Sequence, residues 1–498
     1  MAISTAVEIG AVARVVGIKT AFKNFRGGRL VTLPQRIAVI GQGATATTYA
    51  TTKQQVSSAA EAGQKFGYGS PVHLAVAQLL PNNGDGVGSV PVTVYPLKDA
   101  VAAVASVGDI TPTGTQLAAA AYRVVVNGIK SEQFVIKPGD LVADILAAMS
   151  IAINAVLEMP VTATTAATKL TVTSKWKGAS ANGIRLVVEG DMTAGTTFAI
   201  TQPTGGLVNP SVQPALDAIG NVWETMALNC LDIADTTALD AYSTFGDGRW
   251  GALTRKPLVV FTGSTESDVD AATTISDARK TDRTNSQLIA PGSPNLPFVV
   301  ASRQLARIAK VANDNPPRDY GSQDATGLIA GADGVQWLYN LRDRAVKKGS
   351  STTESRDGVV TLSDTVTFYH PSGDPTPAYR YVCDIVKLQN IIFNVDLTFV
   401  TKAWDGAPLI PDDQPTVNPD AKKPKMAVAE AAAVIDQLGL NALISDPETA
   451  KKNTLAEIDS ENPKRLNMVI PVQLSGNTNI ISIDLPFGFF FGTQTVVG

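Results

Sequence analysis

Four small groups of residues are of types that could do chemistry. The stretch RIAVIGQGATATTY, Arg36 to Tyr49, places Gly41 and Gly43 after an apolar run, with Ala46 where a third small residue belongs. That is the G-x-G-x-x-G/A pattern of a dinucleotide-binding turn, and Glu61 follows twenty residues after Gly41, about where a ribose-binding acid would stand. The chain holds two histidines, His73 and His370, and two cysteines, Cys230 and Cys383. A Ser-His-acid or Cys-His arrangement would need one of those histidines as its base, because the base must titrate near neutral pH. Asp85 is the only carboxylate of the loop PNNGDGVGS, which favours a flexible connection over an acidic metal loop. No G-x-S-x-G elbow, H-E-x-x-H, Walker loop or Cys/His cluster occurs in the sequence.

The elements around these residues weaken each chemical reading. A cofactor turn must open a helix whose first N–H groups receive the pyrophosphate. Instead, Thr45, Ala46, Thr47, Thr48, Tyr49, Ala50, Thr51 and Thr52 follow, a poor helix start and a good strand or loop. Glu61 stands three residues after Ser58, the spacing of a capping box, and so has a structural task at the start of a new helix. The glycines read as a strand-end turn, with a nucleotide-binding α/β enzyme using Gly41 and Gly43 as a rival. His73 lies in GSPVHLAVAQLLP, where Ser70 is an N-cap and Pro71 the first helical residue. It reads as a helix residue, and His370 as part of a turn before a proline. Catalysis is not expected, and no cofactor or metal site is assigned.

At 498 residues the chain has room for about three domains. Hydrophobic content of 44% and charged content of 17% describe a folded chain. A net charge of −4 without a Lys/Arg stripe gives no reason to expect nucleic acid. No secretory signal and no membrane-length apolar run is read, and two distant cysteines make no disulfide framework. The chain is expected to be made and folded in a cytoplasm.

The fold class is α/β multidomain: an α/β core, a β-rich inserted domain, an α+β C-terminal domain, and extended β arms at both termini. Residues 1–35 form an extended arm, with a β-prone run through Val12, Val15 and Ile18 and a glycine pair, Gly27-Gly28, as its hinge. Residues 36–100 read as strand, helix, helix and strand, the first part of the core. Residues 101–205 form the insertion, with a hairpin at Asn127-Gly128 and a helix in LVADILAAMSIAINAVLEM. Residues 206–358 return to the core pattern. Residues 359–477 form the C-terminal domain, strand-rich through RYVCDIVKLQNIIFNVDLTFV, then a linker and a helix from Met426 to Leu438. Residues 478–498 end the chain as a second arm. There Ile481, Ile483 and Leu485 alternate and Phe487, Phe489, Phe490 and Phe491 crowd together. A strand this apolar aggregates unless something covers it, its own sheet or a neighbour's. A β-prone arm at each end of a chain without chemistry points to assembly.

Five segments, in order, carry a resemblance: QRIAVIGQG, KFGYGSPVHLAVAQLL, TDRTNSQLIAPGSP, DNPPRDY, and the long block from Leu338 to Asn390. Together they resemble the Mu-like contractile tail sheath proteins of phages, over most of Gln35 to Asp396. The chain departs from the wider sheath pattern in lacking a Pro-Gly-Val-Tyr segment near its N-terminus and in its Phe-rich end. The resemblance implies a virion structural protein, a homo-oligomer of stacked hexameric rings around a tail tube protein, with baseplate and tail terminator proteins as further partners. It implies that arm strands through Val12, Val15 and Ile18, and through Ile481, Ile483, Leu485, Phe487 and Phe489, pair with neighbours. It places the C-terminal domain toward the tube, with Met426, Glu430 and Asp436 on the facing helix, and residues 101–205 outward. It implies contraction from a metastable extended state that drives the tube through the host envelope, without a nucleotide. A non-contractile virion protein would share the arms but not the tube.

Overall fold

The computed structural model describes residues 31–373, 378–485 and 487. These divide into two compact units: Thr32–Phe393 with the residues from Leu474 onward, and Asn394–Gln473 with Val31. The fold is mixed α/β with several sheets.

In the larger unit Ile37–Gln42 lies inside a six-stranded sheet. The order is Asn285–Ile289, Val259–Ser264, Met226–Asn229, Ile37–Gln42, Val92–Leu97, Gln54–Val56. The first five run parallel, and Gln54–Val56 is antiparallel to Val92–Leu97. Every residue of IAVIGQ and VTVYPL is buried, as expected of strands covered on both faces. Alternate side chains serve different cores: Ile37 and Val39 join one apolar cluster, Ala38 and Ile40 the other. The first cluster includes the helix Pro297–Asp314, whose start lies so close to Gly263 that a Cβ there would stand 1.7 Å from Pro297 O. Only glycine leaves that room.

The helices after Ile37–Gln42 start as their sequences dictate. Ser58 Oγ accepts from the Glu61 N–H and Ser70 Oγ from the His73 N–H, both at 3.2 Å, and Pro71 opens its helix. Glu61 reaches back to the Ser57 N–H at 2.8 Å, one residue beyond the reciprocal partner of a capping box. Within 101–205, Asn127 and Gly128 both take positive φ, 48° and 84°, and join Ala120–Val126 to Ile129–Lys130. That is the primed turn the dipeptide favours. Two four-stranded sheets and the helix Val142–Asn154 complete the segment.

One expectation is corrected. RYVCDIVKLQNIIFNVDLTFV, read as strand, is the helix Val382–Phe399. Its β-branched and aromatic content suggests a strand, and its helical period is masked because polar residues occupy buried positions. Lys387, Gln389 and Asn390 are each wholly buried, so an apolar-versus-polar pattern misses the face.

The smaller unit holds the helix Pro424–Leu440, which buries Pro424, Ala427, Ala431, Ile435 and Leu438 along one side. It packs on Pro447–Asn453 and on the strand Leu455–Ile458. That strand pairs antiparallel with Leu466–Val469 as a two-stranded sheet.

Candidate functional site

The glycine turn sits at the C-terminal end of Ile37–Gln42, beside Met226–Asn229. In an open parallel sheet a ligand crevice lies outside that end, where strand order reverses. Here protein groups occupy the positions a phosphate would use. The Gly43 N–H donates to Tyr49 Oη at 3.1 Å, Ala44 N–H to Phe66 O at 2.7 Å and Thr45 N–H to Lys175 O at 2.8 Å. The space over the glycines is filled as well. A Cβ at Gly41 would meet Cys230 Cβ at 2.8 Å, and one at Gly43 would meet Tyr49 Cε1 at 2.4 Å. The tyrosine hydroxyl also donates to Leu97 O at 2.8 Å, and burial pushes its pKa up to about 12. The glycines therefore give Cys230 and Tyr49 room to close the turn. Glu61 is spent on Ser57 and Lys65, and the Lys65 hydrogen bond is the chief cause of its pKa falling to about 2.

The remaining reactive residue types are likewise engaged. His73 is buried on the helix Pro71–Leu79, where its Nδ1 accepts from the Gly69 N–H at 3.1 Å. Burial, aided by the Lys175 charge, pulls its pKa down to about 4. His370 lies between Phe368 O and Asp277. Cys230 and Cys383 are unpaired and buried, and burial raises both thiol pKa values. Asp85 is not in a free connection. It pairs with Arg303 and Arg307 on Pro297–Asp314 and accepts from Thr326 Oγ1 at 2.6 Å. Among the described residues no group of three His, Cys, Asp or Glu side chains is placed to hold a metal ion, and no helix is long and apolar enough to cross a membrane.

Of the expected assembly residues, Val12, Val15, Ile18, Gly27, Gly28 and Phe489 lie outside the described residues. Ile481, Ile483 and Leu485 have no regular secondary structure and are 74%, 77% and 76% exposed. Phe487 is exposed too. On the helix Pro424–Leu440, Met426 is half-buried. Glu430 accepts from Trp404 Nε1 and Asp436 pairs with Lys451, both at 2.7 Å. The outward positions of that helix are Lys425, Ala429, Ala433, Asp436 and Leu440. On the two-stranded sheet, Leu455 stands opposite Val469 and both are exposed, an apolar cross-strand pair open to a neighbour.

Residues that pattern reading missed hold the chain where the expected arms would begin. In the smaller unit, the Val31 N–H donates to Asn394 Oδ1 at 3.1 Å and Asn394 Nδ2 donates back to Val31 O at 3.0 Å. In the larger unit, Asn390 Oδ1 receives the Leu33 N–H and Lys387 binds the chain near Ser475. A signal was present: buried polar residues in a helix need partners. It becomes visible only once the segment is known to be helical. Near the C-terminal root, a groove of about 610 Å³ is lined by Arg318, Arg342, Glu354, Asp364 and Tyr381, and Asn477–Ile480 run along it.

No family model matches the chain. Over 428 residues it is 25% identical to the Mu-like prophage FluMu tail sheath protein of Haemophilus influenzae, covering 83% of this chain and 85% of the relative. Among solved structures it is similar to the sheath tail protein of Desulfitobacterium hafniense, with a TM-score of 0.45, 13% identity and coverage of 89% of this chain and 94% of that one. It is also similar to the sheath tail protein of Listeria innocua, with a TM-score of 0.48, 11% identity and coverage of 90% and 94%. A third is the contracted-state PVC sheath complex of an extracellular contractile injection system, with a TM-score of 0.45, 8% identity and coverage of 96% and 99%. The sequence resemblance and the Haemophilus relative agree on Mu-like tail sheath proteins.

Proposed function

We propose that the chain is a structural subunit of a contractile phage tail sheath, assembled in the host cytoplasm and carried in the virion. It polymerises as stacked hexameric rings around a tail tube protein, between baseplate and tail terminator proteins. The observation that carries this reading is the tail segment in which Ile481, Ile483 and Leu485 alternate yet stay about three-quarters exposed. The relative over 428 residues, a tail sheath protein, supports it. Such a segment is suited to strand addition, where backbone hydrogen bonds supply affinity and alternate side chains fill one face.

The two-stranded sheet of Leu455–Ile458 and Leu466–Val469 is a suitable acceptor. A pair of strands alone is marginal, and added strands complete it. The C-terminal arm of one neighbour and the N-terminal arm of another, through Val12, Val15 and Ile18, take those places. Each inter-subunit hydrogen bond nets about 0.5–1.5 kcal/mol, so an arm contributes a few kcal/mol and a lattice of arms is strong. Contraction exchanges core-to-core contacts while the arms, turning at Gly27-Gly28 and beyond Asn477, keep the subunits linked. The rings relax from a metastable extended lattice, and the tube is driven through the host envelope. No nucleotide step is needed, in keeping with a glycine turn whose N–H groups are already bonded.

Negative-stain electron microscopy of the purified chain, beside a version ending at Asn479, tests the reading. Helically striated tubes from the first and none from the second are expected. Striated tubes from both would remove the C-terminal arm from the mechanism, and dispersed monomers from both would count against self-assembly of this chain.

A further inference from the structure

Within the larger unit, both arm roots are held by buried polar side chains of one helix. Lys387, on Val382–Phe399, is 0% exposed. Its ammonium donates to Ser475 O at 2.6 Å, Asn477 Oδ1 at 2.6 Å and Asp384 Oδ1 at 2.9 Å. Three donors meet three acceptors, the full capacity of the group. A buried ammonium is tolerated only when paired in this way, and two of the three acceptors belong to the chain leading into the C-terminal arm. Asn477 Nδ2 in turn donates to Pro317 O at 2.8 Å, just beyond the helix Pro297–Asp314.

Three residues along the same helix, Asn390 Oδ1 accepts from the Leu33 N–H at 2.8 Å, and its Nδ2 donates to Val386 O at 2.9 Å. The second bond fixes which way the amide points. Gln35 N–H donates to Asn313 Oδ1 at 3.3 Å, near the end of Pro297–Asp314. The chain entering from the N-terminal arm and the chain leaving for the C-terminal arm are thus bonded to the same two helical regions. Lys387 and Asn390 share a helix face, since residues three apart are neighbours. Beyond Asn477 the described chain has no regular secondary structure and is exposed.

We propose that Lys387 and Asn390 are positioning residues that clamp the two arm roots to the core. Each arm then leaves the subunit from a fixed point, and bending is confined to residues outside the clamp. The consequence for assembly rests on the sheath reading; the clamp itself does not.

The clamp is tested on the full chain by electron paramagnetic resonance of a nitroxide at Asn479→Cys, the native cysteines being buried. With Lys387 in place the spectrum contains a slow-motion component, and Lys387→Met abolishes it. Asn477→Ala, which removes an acceptor of Lys387 from the tail side while Asp384 and the Ser475 carbonyl still pair the ammonium, must do the same if Lys387→Met fails to fold. A spectrum unchanged in the folded variants overturns the C-terminal half. For the N-terminal half, Asn390→Leu speeds hydrogen exchange at the Leu33 amide by about two- to tenfold, the net worth of one neutral hydrogen bond. Unchanged exchange overturns it. In electron microscopy, clamp variants that retain both arms form no regular tubes, and tubes with wild-type striation would refute a role for fixed exit points. If the wild-type chain itself forms no tubes, the sheath reading fails and the resonance and exchange results still decide the clamp.

Discussion

Replacing Ile481, Ile483 and Leu485 together by serine removes three apolar side chains from one face of the tail and leaves its backbone intact. These side chains are 74%, 77% and 76% exposed in the single chain, so the folded subunit gains little from them. In an added strand, residues at alternate positions share one face and are buried together. Full burial of an Ile or Leu side chain contributes about 1.5–3 kcal/mol, and roughly three-quarters of that is still available at each position. The triple variant therefore loses about 3–7 kcal/mol per arm contact. At about 1.4 kcal/mol per decade, the concentration needed for assembly rises by about two to five decades. Sedimentation of the purified chain over a concentration series measures that threshold. Thermal melting of the dispersed subunit should move by no more than about 0.5 kcal/mol, the usual effect of a surface substitution. A threshold equal to that of the wild type, with the fold intact, would refute the argument that this face is what neighbours bind.

Two further outcomes follow from buried groups. His73 has a folded pKa of about 4 against 6.5 for the free side chain, so the unfolded chain takes up its proton first as pH falls. Its contribution is fully present above pH 6.5 and is lost as pH falls through that window toward 4, by about 3 kcal/mol in all. Melting temperatures of wild type and His73→Gln across pH 4–7 should diverge accordingly, the variant being flatter, and parallel curves would be the contrary result. Asp85→Ala leaves Arg303, 2% exposed, without its carboxylate. Breaking a buried pair costs about 3–5 kcal/mol. With Asp85 itself about one-third exposed, a loss of about 2–3 kcal/mol in denaturant unfolding is expected, and a change under about 0.5 kcal/mol would show the loop to be an ordinary connection.

Much of the fold was written locally. The caps Ser58 and Ser70, the Asn127-Gly128 turn and the buried run Ile37–Ile40 are short-range signals, and each forms the expected element. The central glycines were legible as a turn for the same reason, because the threonine run after them cannot start a helix. What fills the space over them was not legible. Cys230 lies far away in the sequence, and the Lys175 carbonyl comes from the inserted segment.

The helix Val382–Phe399 marks the limit from the other side. Periodicity identifies a buried face by its apolar residues, and here Lys387, Gln389 and Asn390 are buried because chain segments hundreds of residues away or close to the C-terminus supply their partners. The sequence by itself determined the caps Ser58 and Ser70, the Asn127-Gly128 turn, the buried run Ile37–Ile40 and the apolar alternation of the tail, since these depend on neighbours within a few residues. Tertiary structure alone decided that the glycine turn is closed and that Leu33, Ser475 and Asn477 are held by the helix Val382–Phe399. Both depend on polar groups that can be buried only when distant partners arrive to satisfy them.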